Sequence, residues 1–371
     1  MNSYRLRIIE SICIALTVLI SSITLSVPNT LINITGSSTL LNVVYVAFLT
    51  FIFFFLMCKL FAHFPGCNII DISEFLGGKV LKFIYGLLFI LYILALSALI
   101  FRHFSESISL IFFSHINIDF ILLCFIISAG ILAFMGIKAI SRINIFALPL
   151  MLLSIIFLYF ASLENYTFQR IFPILGYGIK ETFIDGLSNI SSYSGFYILF
   201  FIFPLLNNVS DYKKVSFTSI SIYTIFLLLA VSALLFSFPQ ISDTTSPISL
   251  YLLARQISLG EYIQSIDAFF LLIWIPFLLC FLSLNMHFSL NTFKQITNIK
   301  YSTAMIYSFC SIIFAIGVLP KNMAEVNFLS NIFFKHLSIV FIFLLPFIIL
   351  FLATIKKIIL KKTKKEGYND A

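Results

Sequence analysis

Residues 20–24 read ISSIT, with Pro28 just beyond them, and they lie inside an apolar run that begins near residue 8. A second serine-rich stretch, ISSYSG at residues 190–195, is followed by Pro204 inside another apolar run. The stretches begin 170 positions apart, which is close to half of the 371-residue chain. Serine pairs and prolines in mid-span favour helix breaks, so this matched pair predicts one broken helix in each half of an inverted repeat.

Composition places these stretches in a membrane protein. Hydrophobic residues make up 61% of the chain and charged residues 10%, whereas a soluble domain carries about 25% charged residues. Apolar runs long enough to span a bilayer lie near residues 8–34, 39–62, 80–101, 117–137, 143–162, 182–208, 216–239, 265–287, 302–319 and 333–355. We therefore predict an all-α integral membrane protein of about ten transmembrane helices, in which spans 1 and 6 are broken.

The domain organisation follows from the spans. We predict a single transmembrane domain over residues 1–355, with repeat one at about 8–162 and repeat two at about 182–355, and a basic tail at 356–371. If both termini are cytoplasmic, seventeen of the 23 Lys and Arg residues lie on the inner side, as the positive-inside rule requires. The lysines from 356 to 365 favour a stop-transfer anchor on anionic lipid, with a partner-docking site as the alternative.

Two facing helix breaks have a chemical consequence. A half-helix N-terminus attracts a carboxylate, and the carbonyls of an opposed half-helix attract an ammonium group, so the pair suits a zwitterion such as an amino acid. The alternative is that each serine hydroxyl bonds back to its own helix in an unbroken span. The matched placement of the two pairs favours the broken helices.

Several short motifs, taken in order, resemble the B subunits of spore germinant receptors, a branch of the amino acid–polyamine–organocation (APC) superfamily with a LeuT-like 5+5 fold. The motifs are Ser22–Pro28, Phe64–Gly66 leading to Gly78–Lys79, Arg102–Glu106, Gly136–Arg142, Pro173–Gly178, and Ile266–Phe269 with Trp274. The resemblance covers nearly the whole chain. It implies a permease-like protein of the spore inner membrane that senses a germinant, typically an amino acid, together with A-type and C-type subunits.

The breaks and the resemblance together define candidate ligand-binding residues. They are Ser21, Ser22, Ile23, Thr24, Tyr92, Ser97, Ser191, Ser192, Tyr193, Ser194, Gly195, Phe196 and Ser283. In this group Gly195 is expected to let the backbone approach the ligand, and Ser283 is a possible sodium ligand. We expect no catalytic residue, cofactor, metal site or nucleic-acid partner, because no corresponding motif occurs in the sequence.

The scarcity of charge within the spans bears on the choice between a receptor and a transporter. The cores of spans 2, 4, 5, 7, 9 and 10 contain no charged residue, although ion-coupled transport usually needs an intramembrane ionisable group. We interpret Arg102 and Glu106 as a surface i,i+4 pair, and His287, the one candidate proton switch, as an interface histidine. The sequence thus favours a sensor over an ion-coupled amino-acid transporter of the APC superfamily. A purely structural membrane subunit is the third alternative.

Overall fold

The structure of the chain, a computed structural model, describes residues 5–23, 27–111, 115–238, 249–257, 267–299 and 304–369. All regular secondary structure in these ranges is helical. The α-helices are α1 Ile8–Ile23, α2 Val27–Thr35, α3 Thr39–Phe61, α4 Ile69–Ile111, α5 Ile118–Phe134, α6 Ile137–Ala161, α7 Ile179–Phe183, α8 Leu199–Ile202, α9 Val209–Ser237, α10 Ser249–Gln256, α11 Asp267–Thr297, α12 Ala304–Val318, α13 Met323–Asn331 and α14 Leu345–Asn369.

Two further helix types occur, 3₁₀ and π. Short 3₁₀ turns lie at Gly36–Ser38, Leu163–Asn165, Phe168–Ile171 and Phe203–Leu205. A much longer 3₁₀ helix, Asp185–Ile198, forms the first and middle part of span 6, and we refer to it as the 3₁₀ segment. Two π-helical stretches, Ile332–Leu337 and Ile339–Leu344, connect α13 to α14 in span 10.

Ten apolar helical stretches match the ten predicted spans. Seven of those described are long and apolar enough to cross a membrane, at Val27–Phe61, Ile69–Ser109, Ile137–Ala161, Ile179–Leu205, Val209–Ser237, Phe270–Thr297 and Met323–Lys361. Three shorter ones, Ile8–Ile23, Ile118–Phe134 and Met305–Val318, complete the set. The polytopic α-helical architecture is therefore confirmed.

Span 3 is longer than its apolar run predicts. The run indicates residues 80–101, but α4 has 43 residues and continues to Ile111. A kink at Gly77 and Gly78 separates its first two turns from the span, and Gly78 has φ +70°, a conformation that L side chains rarely adopt. The polar residues after 101 stay helical because the bundle surrounds them, which the apolar run alone cannot reveal.

Spans 1 and 6 are both broken, as predicted, and the two breaks differ in form. In span 1 the helix α1 continues through Ser21 and Ser22 to Ile23, α2 begins at Val27, and Thr24 lies outside the described residues. In span 6 the residues from Ser191 to Gly195 keep hydrogen-bonded 3₁₀ winding. Serine hydroxyls bond back to their own helices in both places, so the predicted alternative of back-bonding serines occurs together with the helix breaks.

Two lysines at the start of the basic tail bind within the protein. The Lys356 ammonium donates to the carbonyls of Phe75 and Leu76, both at 2.9 Å, and Lys357 donates to the carbonyl of His63. Those carbonyls lie at helix ends, where a cation is favourable. The tail therefore begins by joining span 10 to the connection between spans 2 and 3. Its proposed lipid contact concerns the lysines further on.

The centre of the bundle lies between α1 and the 3₁₀ segment. Around them pack α3 and α9 on one side and α4, α11 and the π-helical stretches on the other. Many of the largest fully buried side chains come from these elements, among them Trp274, Tyr193, Tyr197, Tyr223, Phe54 and Phe89. Aromatic rings therefore surround the junction of the two interrupted spans.

Candidate functional site

The winding of the 3₁₀ segment sorts its side chains into columns. A 3₁₀ helix has three residues per turn, so positions i and i+3 eclipse one another. One column holds the small and polar residues Gly186, Asn189, Ser192 and Gly195, all of them buried. A second column holds Tyr193 and Phe196, whose stacked rings have their centroids 6.2 Å apart and an interplanar angle of only 8°. The small column lets neighbouring spans approach the backbone of span 6.

The closest approach is between Gly195 and α1. A Cβ atom added at Gly195 would lie 3.0 Å from the backbone of Val18 and of Leu19. The two interrupted spans therefore touch backbone to backbone in the middle of the bundle. Gly195 therefore joins the two spans, and the predicted approach of its backbone to a ligand stays a prediction.

Tyr223 of α9 links the two serine pairs. Its hydroxyl donates to the Ser192 carbonyl at 2.7 Å and lies 3.3 Å from the Ser22 hydroxyl oxygen. Its fully buried ring meets the ring of Tyr193 edge to face at 4.9 Å. The neighbouring Thr224 binds the Tyr193 hydroxyl at 2.8 Å. We call Tyr223, Ser22 and Ser192 the tyrosine bridge.

The structure brings the two predicted span 3 residues into a second polar cluster. The Tyr197 hydroxyl donates to the Asn285 side-chain oxygen, and the Asn285 amide donates to the Ser97 hydroxyl at 2.9 Å. The Tyr92 ring stacks on Phe341 at 5.1 Å, and its buried hydroxyl lies close to Tyr197. This cluster, which we call the asparagine node, joins spans 3, 6, 8 and 10.

Ser283 does not belong to either cluster. Its hydroxyl donates to the carbonyls of Leu279 at 2.6 Å and of Ala129 at 3.0 Å, so it faces α5. Ser283 and Asn285 are two positions apart on α11, which turns them about 200° from each other around the helix. The side of α11 that meets the 3₁₀ segment is therefore the side of Asn285, and the structure does not bring Ser283 to the predicted break.

The remaining candidate residues lie around the two clusters. Ser21 is buried, and its hydroxyl donates to the Val18 carbonyl at 2.8 Å. Ile23 and Ser194 are also buried, whereas Ser191 is half-buried. Phe196 packs its ring against Phe54 at 4.7 Å. The serines of both spans thus lie at one junction, although they are not all directed into one space.

Asn42 binds the beginning of the 3₁₀ segment, and sequence reasoning missed it. Its amide donates to the carbonyls of Thr182 at 2.7 Å and Gly186 at 3.1 Å, and its oxygen accepts from the Asn189 amide at 2.7 Å. A buried amide that makes three hydrogen bonds across spans fixes its neighbours in one arrangement. Small or polar residues recur at every third position from Gly186 to Gly195. This repeat is the sequence signal that could have predicted the 3₁₀ winding that Asn42 supports.

The charged residues of span 3 are buried, so the interpretation as a surface pair was wrong. Arg102 and Glu106 are 5% and 4% exposed and pair at 2.9 Å, and Arg102 also pairs with Asp119 of α5 at 2.7 Å. They are buried because α4 extends past its apolar run and packs against α5 and α13. His287 lies on another face of the bundle, where its Nε2 is 2.9 Å from the Asn291 amide.

A pocket lies next to the C-terminal end of span 6, lined by Arg5, Pro204 and Tyr212 among others. It has a volume of about 250 Å³, and the N-terminal segment closes one side through Leu6, whose N–H donates to the Leu205 carbonyl at 3.0 Å. Arg5 reaches Asn207 across it at 3.3 Å. Among the described residues, no group of three or more His, Cys, Asp or Glu side chains is placed to hold a metal ion.

Similarity to solved structures identifies the fold. A Na⁺-coupled sialic acid symporter in an outward-open state superposes with a TM-score of 0.62 at 14% identity, over 92% of this chain and 80% of that chain. A nucleobase-cation-symport-1 family transporter in a closed conformation, with bromovinylhydantoin bound, gives 0.59 at 12% identity, over 89% and 75%. A manganese transporter mutant of Eremococcus coleocola gives 0.57 at 11% identity, over 97% and 88%. The LeuT-like 5+5 arrangement is therefore confirmed.

Similarity in sequence identifies the family. Spore germination protein A2 of Bacillus subtilis (strain 168) is 24% identical over 294 residues, which cover 77% of this chain and 78% of that protein. The family of spore germination proteins, described as spore permeases, matches residues 5–326, most of the chain and all of its spans except the last. The chain is a multi-pass, permease-like membrane protein that belongs to the spore germination protein family.

Proposed function

We propose that this protein is the membrane subunit of a spore germinant receptor, which binds a small germinant and thereby triggers germination. The observation that carries the proposal is the backbone contact at Gly195, where two interrupted spans meet beside two buried polar clusters. In a bilayer, such a polar junction at mid-depth is the usual place for a solute site. The ligand class is a small amino acid, bound between the tyrosine bridge and the asparagine node.

The chemistry of the junction supports a zwitterionic ligand. The carbonyl of Ser192 is an acceptor for an ammonium group, and the Asn285 amide and the Ser97 hydroxyl can donate to a carboxylate. The aromatic rings of Tyr193, Phe196 and their neighbours are packed tightly around the junction, which favours a ligand with a small side chain. Within this proposal the candidate residues at the two serine pairs, in span 3 and at Phe196 line the site.

The setting follows from the family. We place the protein in the spore inner membrane with both termini cytoplasmic, as a complex with A-type and C-type subunits. Family membership and the inner-side excess of Lys and Arg support this placement. Co-purification of the two other subunits with the tagged full-length protein from spore membranes is the expected result. Recovery of this protein alone, under conditions that keep it folded, would remove the complex from the proposal.

An ion-coupled amino-acid transporter is the second candidate, and the likeness to a Na⁺-coupled symporter favours it. The two alternatives differ in whether the ligand is concentrated. A receptor needs only a difference in ligand affinity between two conformations, and a difference of 1–3 kcal/mol shifts their equilibrium roughly 5- to 150-fold. The buried charges of span 3 pair with one another, which supports a structural role for them over ion coupling.

Reconstitution in liposomes tests the proposal directly. Each common amino acid is supplied in radiolabelled form, with and without imposed proton and sodium gradients. Saturable binding without accumulation is the expected result, and uphill uptake that collapses with an ionophore would establish the transporter instead. Asn285→Ala should weaken binding of the amino acid. The control is Asn291→Ala in the same helix, which removes a side-chain amide that contacts His287 and should leave binding unchanged.

A further inference from the structure

The tyrosine bridge occupies the groups that an amino acid would use at the junction. The Ser192 carbonyl already accepts the Tyr223 hydroxyl at 2.7 Å, and the same hydroxyl lies against Ser22 at 3.3 Å. Tyr223 comes from span 7, outside both interrupted spans. A side chain of a third span therefore takes the position between the two serine pairs.

The hydrogen bond from Tyr223 limits what else the Ser192 carbonyl can bind. A carbonyl oxygen has two lone pairs, and within the 3₁₀ segment the helix itself uses one of them. Tyr223 takes the other, so the carbonyl has no acceptor site left for an ammonium group. A fully buried phenol also keeps a hydrogen-bond partner, because an unpaired buried hydroxyl is costly. Tyr223 and a bound ammonium group are consequently in competition for one oxygen.

We propose that Tyr223 is a built-in competitor of the ligand, a positioning residue that holds the Ser192 carbonyl until an amino acid displaces it. The inference rests on the proposed function, since it assumes that the ligand binds at this junction. Displacement moves the middle of α9, the 29-residue helix that continues to the inner side through Lys213 and Lys214. Binding at the junction is thus converted into a movement of span 7.

The geometry also separates this role from that of a simple ligand contact. A tyrosine that binds ligand would present an unsatisfied hydroxyl to the site, whereas the Tyr223 hydroxyl already has its acceptor. The ring is fixed as well, because Tyr193 meets it edge to face at 4.9 Å. Removing the hydroxyl should therefore help the ligand while it harms the ligand-free protein.

The test is Tyr223→Phe in the full-length reconstituted protein, with each radiolabelled amino acid as the probe. We expect affinity for the amino acid that binds to rise about three- to tenfold, the value of one hydrogen bond, while the melting temperature of the ligand-free protein falls. The control is Tyr212→Phe, which removes a hydroxyl from a buried tyrosine eleven positions nearer the start of the same helix and should leave affinity unchanged. If Tyr223→Phe does not fold, Tyr223→Leu removes the same hydroxyl with a more flexible side chain.

The outcomes separate this inference from the proposed function. Unchanged or weaker affinity in the variant, with normal binding by the wild type, would overturn the role of Tyr223 alone. Binding by the variant where the wild type binds nothing measurable would support the inference strongly. A complete lack of binding by both proteins, each shown to be folded, would refute the proposed function and this inference with it.

Discussion

The two serine pairs of this protein share a sequence pattern and differ in structure. In span 1 the Ser22 hydroxyl donates to the carbonyl three residues earlier at 2.6 Å, and α1 remains an α-helix. In span 6 the Ser192 hydroxyl makes the same kind of bond to Asn189 at 2.7 Å, within a 3₁₀ helix of 14 residues. The serines therefore do not decide the winding. We attribute the difference to groups from other spans that bind backbone carbonyls of span 6: the Asn42 amide and the Tyr223 hydroxyl. In the described part of span 1, the Tyr223 hydroxyl hydrogen-bonds only to the Ser22 side chain.

The largest expected effect tests the contact between the two spans. Gly195→Leu should prevent accumulation of folded protein, because the new side chain would begin 3.0 Å from the α1 backbone, which cannot move aside. Overpacking of this kind costs at least about 1–3 kcal/mol. The measurement is the yield and melting temperature of detergent-solubilised protein.

A matched glycine controls for the substitution itself. Gly317 lies in α12, where an added Cβ would meet the end of the flexible Leu122 side chain at 2.8 Å. Gly317→Ala should therefore lower the melting temperature less than Gly195→Ala does. Equal effects of the two alanines would show that α1 and the 3₁₀ segment are not in close contact.

An intermediate effect is expected at the beginning of the 3₁₀ segment. Asn42→Ala removes three hydrogen bonds between spans and leaves the buried Asn189 amide without its partner. We expect a loss of about 1–3 kcal/mol in the free energy of unfolding, measured by thermal or denaturant unfolding. Thr50→Ala removes a hydroxyl from the same helix that bonds only to Val46, and it should cost much less. A loss from Thr50→Ala as large as that from Asn42→Ala would contradict the assigned role.

The smallest effect should come from the serine hydroxyls. Ser22→Ala and Ser192→Ala each remove a bond to the helix that carries the serine, which contributes little to stability. We expect both to change the free energy of unfolding by less than about 1 kcal/mol, by the same denaturant measurement. A large loss of unfolding free energy from Ser192→Ala alone would show that the serine itself determines the winding of span 6.

The sequence predicts the fold well because apolar length is a local property. All ten spans follow from runs of apolar residues, and Tyr92 and Ser97 follow from their place on span 3. The winding of span 6 does not follow, since it depends on Asn42 and Tyr223, which lie about 150 residues before and 30 residues after it. Arg102 and Glu106 were misjudged for the same reason: their burial depends on how far α4 extends and on what packs against it.

The 3₁₀ segment is also longer than an α-helix with the same number of residues. Its 14 residues rise roughly 2.0 Å each, about 28 Å in all, whereas the same residues in an α-helix would rise roughly 1.5 Å each, about 21 Å. Rewinding it would draw the two ends of span 6 closer by about 7 Å, more than one α-helical turn. Each residue would also turn through about 100° in place of 120°, so the Tyr193 and Phe196 rings would come out of register. A change in the winding of span 6 would therefore move the segments attached to its two ends, one at each face of the membrane.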